Sequence, residues 1–138
     1  MNNYTYNEIA IGDIETFTAT ITEDMMSGFR DITGDVNPLH TDEAFATKMK
    51  YDKKVAYGML TASFMSTVAG VYLPGKYSLI QKVEAEFPSA VYAGDTISFT
   101  AEVVDKDDRF KTIELKVVAK NSLGKKVMRG KMRVGVLR

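Results

Sequence analysis

The chain has 138 residues, 45% of them hydrophobic and 26% charged, the proportions of one ordinary globular unit, so a pair of catalytic domains is excluded. It has no cysteine and one histidine, which removes disulfides, iron–sulfur and zinc–thiolate sites, thiol nucleophiles and every two-histidine metal motif. The formal net charge of zero argues against broad nucleic-acid binding, but residues 1–47 carry one basic residue against nine acidic, and residues 105–138 eleven basic against four acidic.

Met1–Ile11 is polar and has no basic stretch leading into an apolar one, and no apolar run nears the ~18 residues of a membrane span. The expectation is a cytoplasmic chain that does not enter a membrane, for which the lack of cysteine is a natural fit. Ile14–Ile21 alternates among Thr-rich β-formers and predicts a first strand. Thr22, followed by Glu23 and Asp24, predicts the cap of a short helix whose Met25, Met26, Phe29 and Ile32 recur at helical spacing, and Gly34 predicts its end. Gly34–His40 reads as a loop, since Pro38 forces Asn37 out of helical geometry. Thr41, with Asp42 and Glu43, predicts a second cap and a helix to about Met49.

Gly58–Tyr72 is charge-free and apolar nearly all round, which predicts a buried helix of about 22 Å, stopped by Leu73-Pro74-Gly75. From there the period changes from 3.6 to 2. Strands are predicted at about Tyr77–Phe87, Thr96–Asp105, Phe110–Asn121 and Lys126–Leu137, joined as a meander, with Ile113, Leu115, Val117 and Ala119 facing the core and Glu114 and Lys116 facing water. Residues 1–138 therefore read as a single α+β domain in which an antiparallel sheet wraps a long helix. The open edges of such a sheet predict a homodimer.

The one histidine follows an aspartate by five residues, in a proline-stiffened stretch between two helix ends. A lone histidine is by default a structural residue, but loops held by rigid elements carry function disproportionately, and an Asp/His pair is suited to moving protons on and off water. Other features are weaker. Asp105–Asp108 lacks the glycine and glutamate of a calcium loop, Gly75-Lys76 lacks the frame of a phosphate loop, and the methionines clustered in Met25–Met65 serve equally as core filling or as an adaptable apolar pocket. Arg129, Lys131 and Arg133 share one strand face, either solvated or available to a phosphate-bearing substrate.

Phe29-Arg30-Asp31-Ile32-Thr33-Gly34-Asp35-Val36-Asn37-Pro38-Leu39-His40 resembles the signature of the MaoC-like (R)-specific enoyl-CoA hydratases, or hydratase 2. The similarity continues through Tyr57–Ser66, Leu73-Pro74-Gly75 and Phe87…Val91…Gly94-Asp95. The resemblance implies the hot-dog fold and reversible hydration of trans-2-enoyl thioesters, with no metal or cofactor. It implies that Asp35 and His40 hold the reacting water, that the Gly58 N–H binds the thioester carbonyl, and that Ser66 lies near the aspartate. Asn37 and Tyr57 are further candidates for substrate contact. The family commonly has histidine where this chain has Tyr57, whose phenol can still donate a hydrogen bond. Counted from Gly58, Ala62, Met65, Ser66 and Ala69 follow along one side of the helix, and small Ala69 suggests room for a longer acyl chain. The implied partners are an acyl-CoA or acyl-carrier-protein thioester and a second copy of the chain. Two alternatives remain: a thioesterase of the same fold, disfavoured because residues 56–66 hold no carboxylate, and a non-catalytic acyl-binding module.

Overall fold

The computed structural model describes residues 1–138. Strand β1 (Ile14–Thr20) turns Glu15, Phe17 and Ala19 inward. Helix α1 (Glu23–Thr33) begins where the Thr22 hydroxyl accepts the Met25 N–H at 3.1 Å, and ends at Gly34, whose left-handed φ of 72° sends its N–H to Arg30 O. Both ends agree with the sequence. Its apolar face does not agree throughout: Met26 is buried and Met25 and Phe29 pack on the core, but Ile32, at the uncovered last turn, is 84% exposed.

The stretch after Gly34 is not all loop. Asn37 is non-helical, as the proline requires, but Pro38–Thr41 close one helical turn, α2, with Pro38 at its first position and the Asn37 side chain accepting the Leu39 N–H at 2.9 Å. Thr41 is thereby held inside α2, its hydroxyl donating to Asn37 O at 3.2 Å. The cap of α3 (Glu43–Lys48) is therefore Asp42, whose carboxylate accepts the Phe45 N–H at 3.2 Å.

Helix α4 (Gly58–Thr67) runs directly into a π-helical turn, Val68–Tyr72, so the predicted span is helical from end to end. It is not buried on every side. Leu60, Thr61, Met65, Val68 and Ala69 are buried, whereas Met59, Ser63 and Ser66 form an exposed stripe.

Strands β2 (Ser78–Glu86), β3 (Thr96–Asp107), β4 (Thr112–Lys120) and β5 (Lys126–Val136) join β1 in one antiparallel sheet of order β1-β3-β4-β5-β2. Only β3, β4 and β5 form a meander; β2 and β3 are not hairpin partners. The segment between them leaves the sheet: Ala56 N–H donates to Val91 O at 2.7 Å, and Gly94 N–H to Ile21 O at 2.6 Å, so it is pinned to the start of α4 and to the end of β1. Ile113, Leu115, Val117 and Ala119 of β4 face inward as predicted and meet Met65, Val68 and Ala69 in a single core. Each large side chain buried there contributes about 1.5–3 kcal/mol. No helix is long and apolar enough to cross a membrane.

Candidate active site

His40 sits in α2, and its position is set from two directions. Leu39 O accepts the Val55 N–H at 3.1 Å, and His40 Nδ1 lies 2.7 Å from Val55 O. A carbonyl only accepts, so Nδ1 carries a proton, and in the neutral ring Nε2 keeps its lone pair for a partner outside the scaffold. The imidazole also packs on the Tyr57 ring, 4.2 Å between centroids, and Tyr57 packs on Phe29 at 4.6 Å.

Tyr57 is 2% exposed, and its phenol donates to the backbone carbonyl of Asp35 at 2.6 Å. Burial first, and the nearby Asp35 charge second, push its pKa above the usual tyrosine value. With its one proton committed to the Asp35 carbonyl, Tyr57, which the sequence suggests as a substrate contact, braces the Asp35–His40 turn. Asp35 is exposed; its carboxylate accepts the Asn37 N–H at 3.0 Å, and it makes no direct hydrogen bond with His40. Asn37 spends its side-chain oxygen on capping α2.

A cleft of about 380 Å³ opens beside His40, lined by Gly58 and Thr61 of α4, Tyr51, the Phe87–Val91 segment and Val127. Gly58 is the first residue of α4, so its N–H has no partner within the helix and points with the positive end of the helix dipole. A Cβ at this position would stand 3.4 Å from the Phe87 ring, so glycine keeps the cleft open there. The cleft wall holds no carboxylate.

Among the site residues suggested by the sequence, the structure thus gathers His40 and Gly58 at one cleft and ties Asp35 to them through Tyr57. Two others fall elsewhere. Ser66 lies on the exposed stripe of α4, roughly 80° around the axis from Gly58, and makes no hydrogen bond to Asp35. Ala69 is fully buried in the core and does not line the cleft. Thr61 and Phe87 are cleft residues that sequence reasoning missed. The signal for Thr61 was its place one helical turn beyond Gly58; the signal for Phe87 lay in an unanticipated crossover. Lys48, Lys50, Lys53 and Lys54, clustered around the cleft residue Tyr51, were another overlooked signal.

A five-stranded antiparallel sheet wrapped around one side of a long helix, with the histidine turn at the helix's start, defines a hot-dog fold. The MaoC like domain model matches residues 11–125, and the chain belongs to that family. It is 34% identical over 98 residues, 71% of its own length, to a 3-hydroxybutyryl-CoA dehydratase of Methylorubrum extorquens, of which the match spans 55%. It is 32% identical over 98 residues, again 71% of its length, to an (R)-specific enoyl-CoA hydratase of Rhodospirillum rubrum, of which the match spans 68%. The chain thus spans little more than half of the first relative and about two-thirds of the second. The unliganded R-hydratase PhaJ1 of Pseudomonas aeruginosa superposes with a TM-score of 0.90 at 27% identity, covering 97% of this chain and 86% of that one.

Proposed function

We propose that this protein is an (R)-specific enoyl-CoA hydratase, a hydro-lyase that reversibly adds water across the double bond of a trans-2-enoyl thioester. The observation that carries the reading is the meeting of two groups at one cleft: His40, its Nδ1–H fixed on Val55 O, and the unpaired N–H of Gly58. The activities named for the relatives support the same reaction.

Hydration places the water oxygen on C3 and a proton on C2, so a water must lose a proton, C2 must gain one, and the thioester oxygen must carry enolate-like charge in between. Asp35 and His40 hold the water and exchange the two protons between them. Gly58 N–H, at the positive end of α4, receives the thioester oxygen. Its missing side chain lets that oxygen approach the backbone. A thioesterase of this fold would use a carboxylate near the start of the central helix, and residues 56–66 hold none.

We infer that two copies pair along β2. This strand lies at the sheet's edge and leaves Leu79, Ile80 and Val83 exposed, with Phe87 just beyond its end, an apolar edge that a second copy would cover. Phe87 also lines the cleft, so such a partner would stand near the substrate. The setting supported by a cysteine-free composition is a reducing compartment, the cytoplasm.

The test is addition of the purified protein to crotonyl-CoA, following the enoyl-thioester absorbance and free thiol together. Loss of absorbance without thiol release supports hydration. Thiol release identifies a thioesterase, and neither signal identifies a binding module.

A further inference from the structure

Thr61 is 1% exposed, and its hydroxyl oxygen is buried with no hydrogen-bond partner, the one such side-chain atom in the protein. A buried hydroxyl without a partner destabilises a fold, and a threonine inside a helix has an easy remedy, donating to the carbonyl four residues back. Here that carbonyl is Tyr57 O, which instead accepts the backbone N–H of Thr61 at 3.3 Å and that of Leu60 at 3.1 Å. The hydroxyl is directed elsewhere, and Thr61 lines the cleft shared by His40 and Gly58.

Helix geometry says where it is directed. The Cα–Cβ bonds of a helix tilt toward its N-terminus, so a side chain covers the turn preceding its own Cα. For Thr61 that turn begins at Gly58, about 4.5 Å back along the axis and about 60° around it, and both residues line the cleft. Gly58 has no side chain to fill the space, and its N–H has no partner within the helix. Two donors without protein acceptors therefore belong to residues that line one cleft at the start of α4.

We propose that the Thr61 hydroxyl is a second donor to the thioester carbonyl oxygen, completing with Gly58 N–H a two-donor site for the oxyanion. The assignment rests on the hydratase reading and adds a residue to it. It makes Thr61 a catalytic residue whose hydroxyl strengthens its hydrogen bond as negative charge develops on the substrate oxygen. It also accounts for the buried hydroxyl: the group is left unpaired in the free protein so that no protein acceptor competes with substrate.

The test compares wild type with Thr61→Val, which replaces the hydroxyl by a methyl of similar size, and Thr61→Ser, which keeps it. On crotonyl-CoA, kcat/KM is expected to fall about 100-fold in the valine variant, the usual cost of one oxyanion donor, and to return to within about fivefold of wild type with serine. The Tm of Thr61→Val should match or exceed that of wild type, since the change removes an unpaired buried hydroxyl. Two unreactive ligands locate the contact. Butyryl-CoA retains the carbonyl and should bind Thr61→Val about tenfold more weakly than wild type, whereas S-butyl-CoA, a thioether without it, should bind both alike. Wild-type activity in Thr61→Val, equal weakening of both ligands, or a serine variant as slow as valine would overturn the assignment. A wild-type protein that does not hydrate crotonyl-CoA would overturn the hydratase reading itself, and the assignment with it; an active wild type beside an unimpaired valine variant overturns the assignment alone.

Discussion

The Tyr57 phenol and the Asp35 backbone carbonyl, 22 positions apart in sequence, share a 2.6 Å hydrogen bond that fastens the histidine turn to the entrance of the central helix. Because the Tyr57 ring also packs on His40, one side chain sets the position of both members of the proposed water-holding pair. Tyr57→Phe keeps the ring and loses the tether. It is expected to cost about 1 kcal/mol of stability, as for one neutral hydrogen bond, and to lower kcat about tenfold or more through misplacement of Asp35. KM should stay within twofold if the phenol serves only as this tether. Urea unfolding together with steady-state kinetics on crotonyl-CoA checks this, and a KM-only effect would return Tyr57 to substrate contact.

Asp35→Asn and His40→Ala should each lower kcat by about 10²–10⁴-fold, the range for a positioned acid or base, with the far-ultraviolet spectrum unchanged. If both act on one water, as proposed, the double variant should be little slower than the slower single variant. Multiplicative losses would show that they act independently.

The sequence made the local signals legible and the long-range ones obscure. Thr22, Gly34 and the alternation of Ile113–Ala119 act through neighbours a few residues away, and the structure agrees with them closely. The departure of β2 from the meander depends on Val91 finding Ala56, and no local period encodes that pairing. The same limit applies at the site. The spacing of Asp35 and His40 points to chemistry, but whether Tyr57 faces substrate or scaffold depends on a contact with a carbonyl 22 positions away, and the exposure of Ser66 depends on which side of α4 the sheet covers.

The strand face formed by Arg129, Lys131 and Arg133 is a poor candidate for holding substrate phosphates. Arg133 Nε lies 2.8 Å from Glu114, Arg129 lies 3.5 Å from Glu86, and Lys131 stands opposite Glu84 in the β2–β5 register. None of the three lines the cleft. Lys48 and Lys50, which are in no ion pair and precede the cleft residue Tyr51 by three positions and one, are the better candidates. KM for an acyl-CoA should rise with salt while kcat holds, and Lys48→Gln with Lys50→Gln should reproduce that rise. Neutralising the three strand residues should leave KM within twofold. The opposite pattern would move the phosphate end of the substrate to the outer face of the sheet.

Tyr6 ties the N-terminal segment to the β3–β4 turn, its phenol donating to Asp108 at 2.6 Å while Lys106 Nζ stands 4.2 Å from its ring centroid. Burial, then the Asp108 hydrogen bond and charge, push its pKa up to about 12 from the ordinary value of 10.0. A raised pKa means that the fold favours the neutral phenol. This contribution is whole below pH 10 and is lost as pH rises toward 12. Tm measured from pH 8 to 12 should therefore fall more steeply in wild type than in Tyr6→Phe, which is less stable at pH 8 but has no proton to lose. Parallel curves would show that Tyr6 does not govern the alkaline limit.

If the acyl chain runs along the inner face of α4, Met65 stands in its path. On the inner face of α4 it lies between Thr61, at the cleft, and Ala69, in the core, and its methyl group fills the space that Gly130 of β5 leaves, since a Cβ at Gly130 would fall 2.7 Å from Met65 Cε. Substrate reaching toward Ala69 must first displace that side chain, which favours short enoyl groups. Met65→Ala should raise the ratio of kcat/KM for eight-carbon over four-carbon enoyl-CoA about tenfold, at a stability cost of about 2–5 kcal/mol for the truncated core residue. Ala69→Leu in the otherwise wild-type chain should overpack the core, lowering stability by about 1–3 kcal/mol and slowing both substrates alike. Chain-length kinetics on the two variants decide between a closed and an open path: a loss confined to eight carbons in Ala69→Leu would mean that the acyl chain already passes Met65 and ends against residue 69.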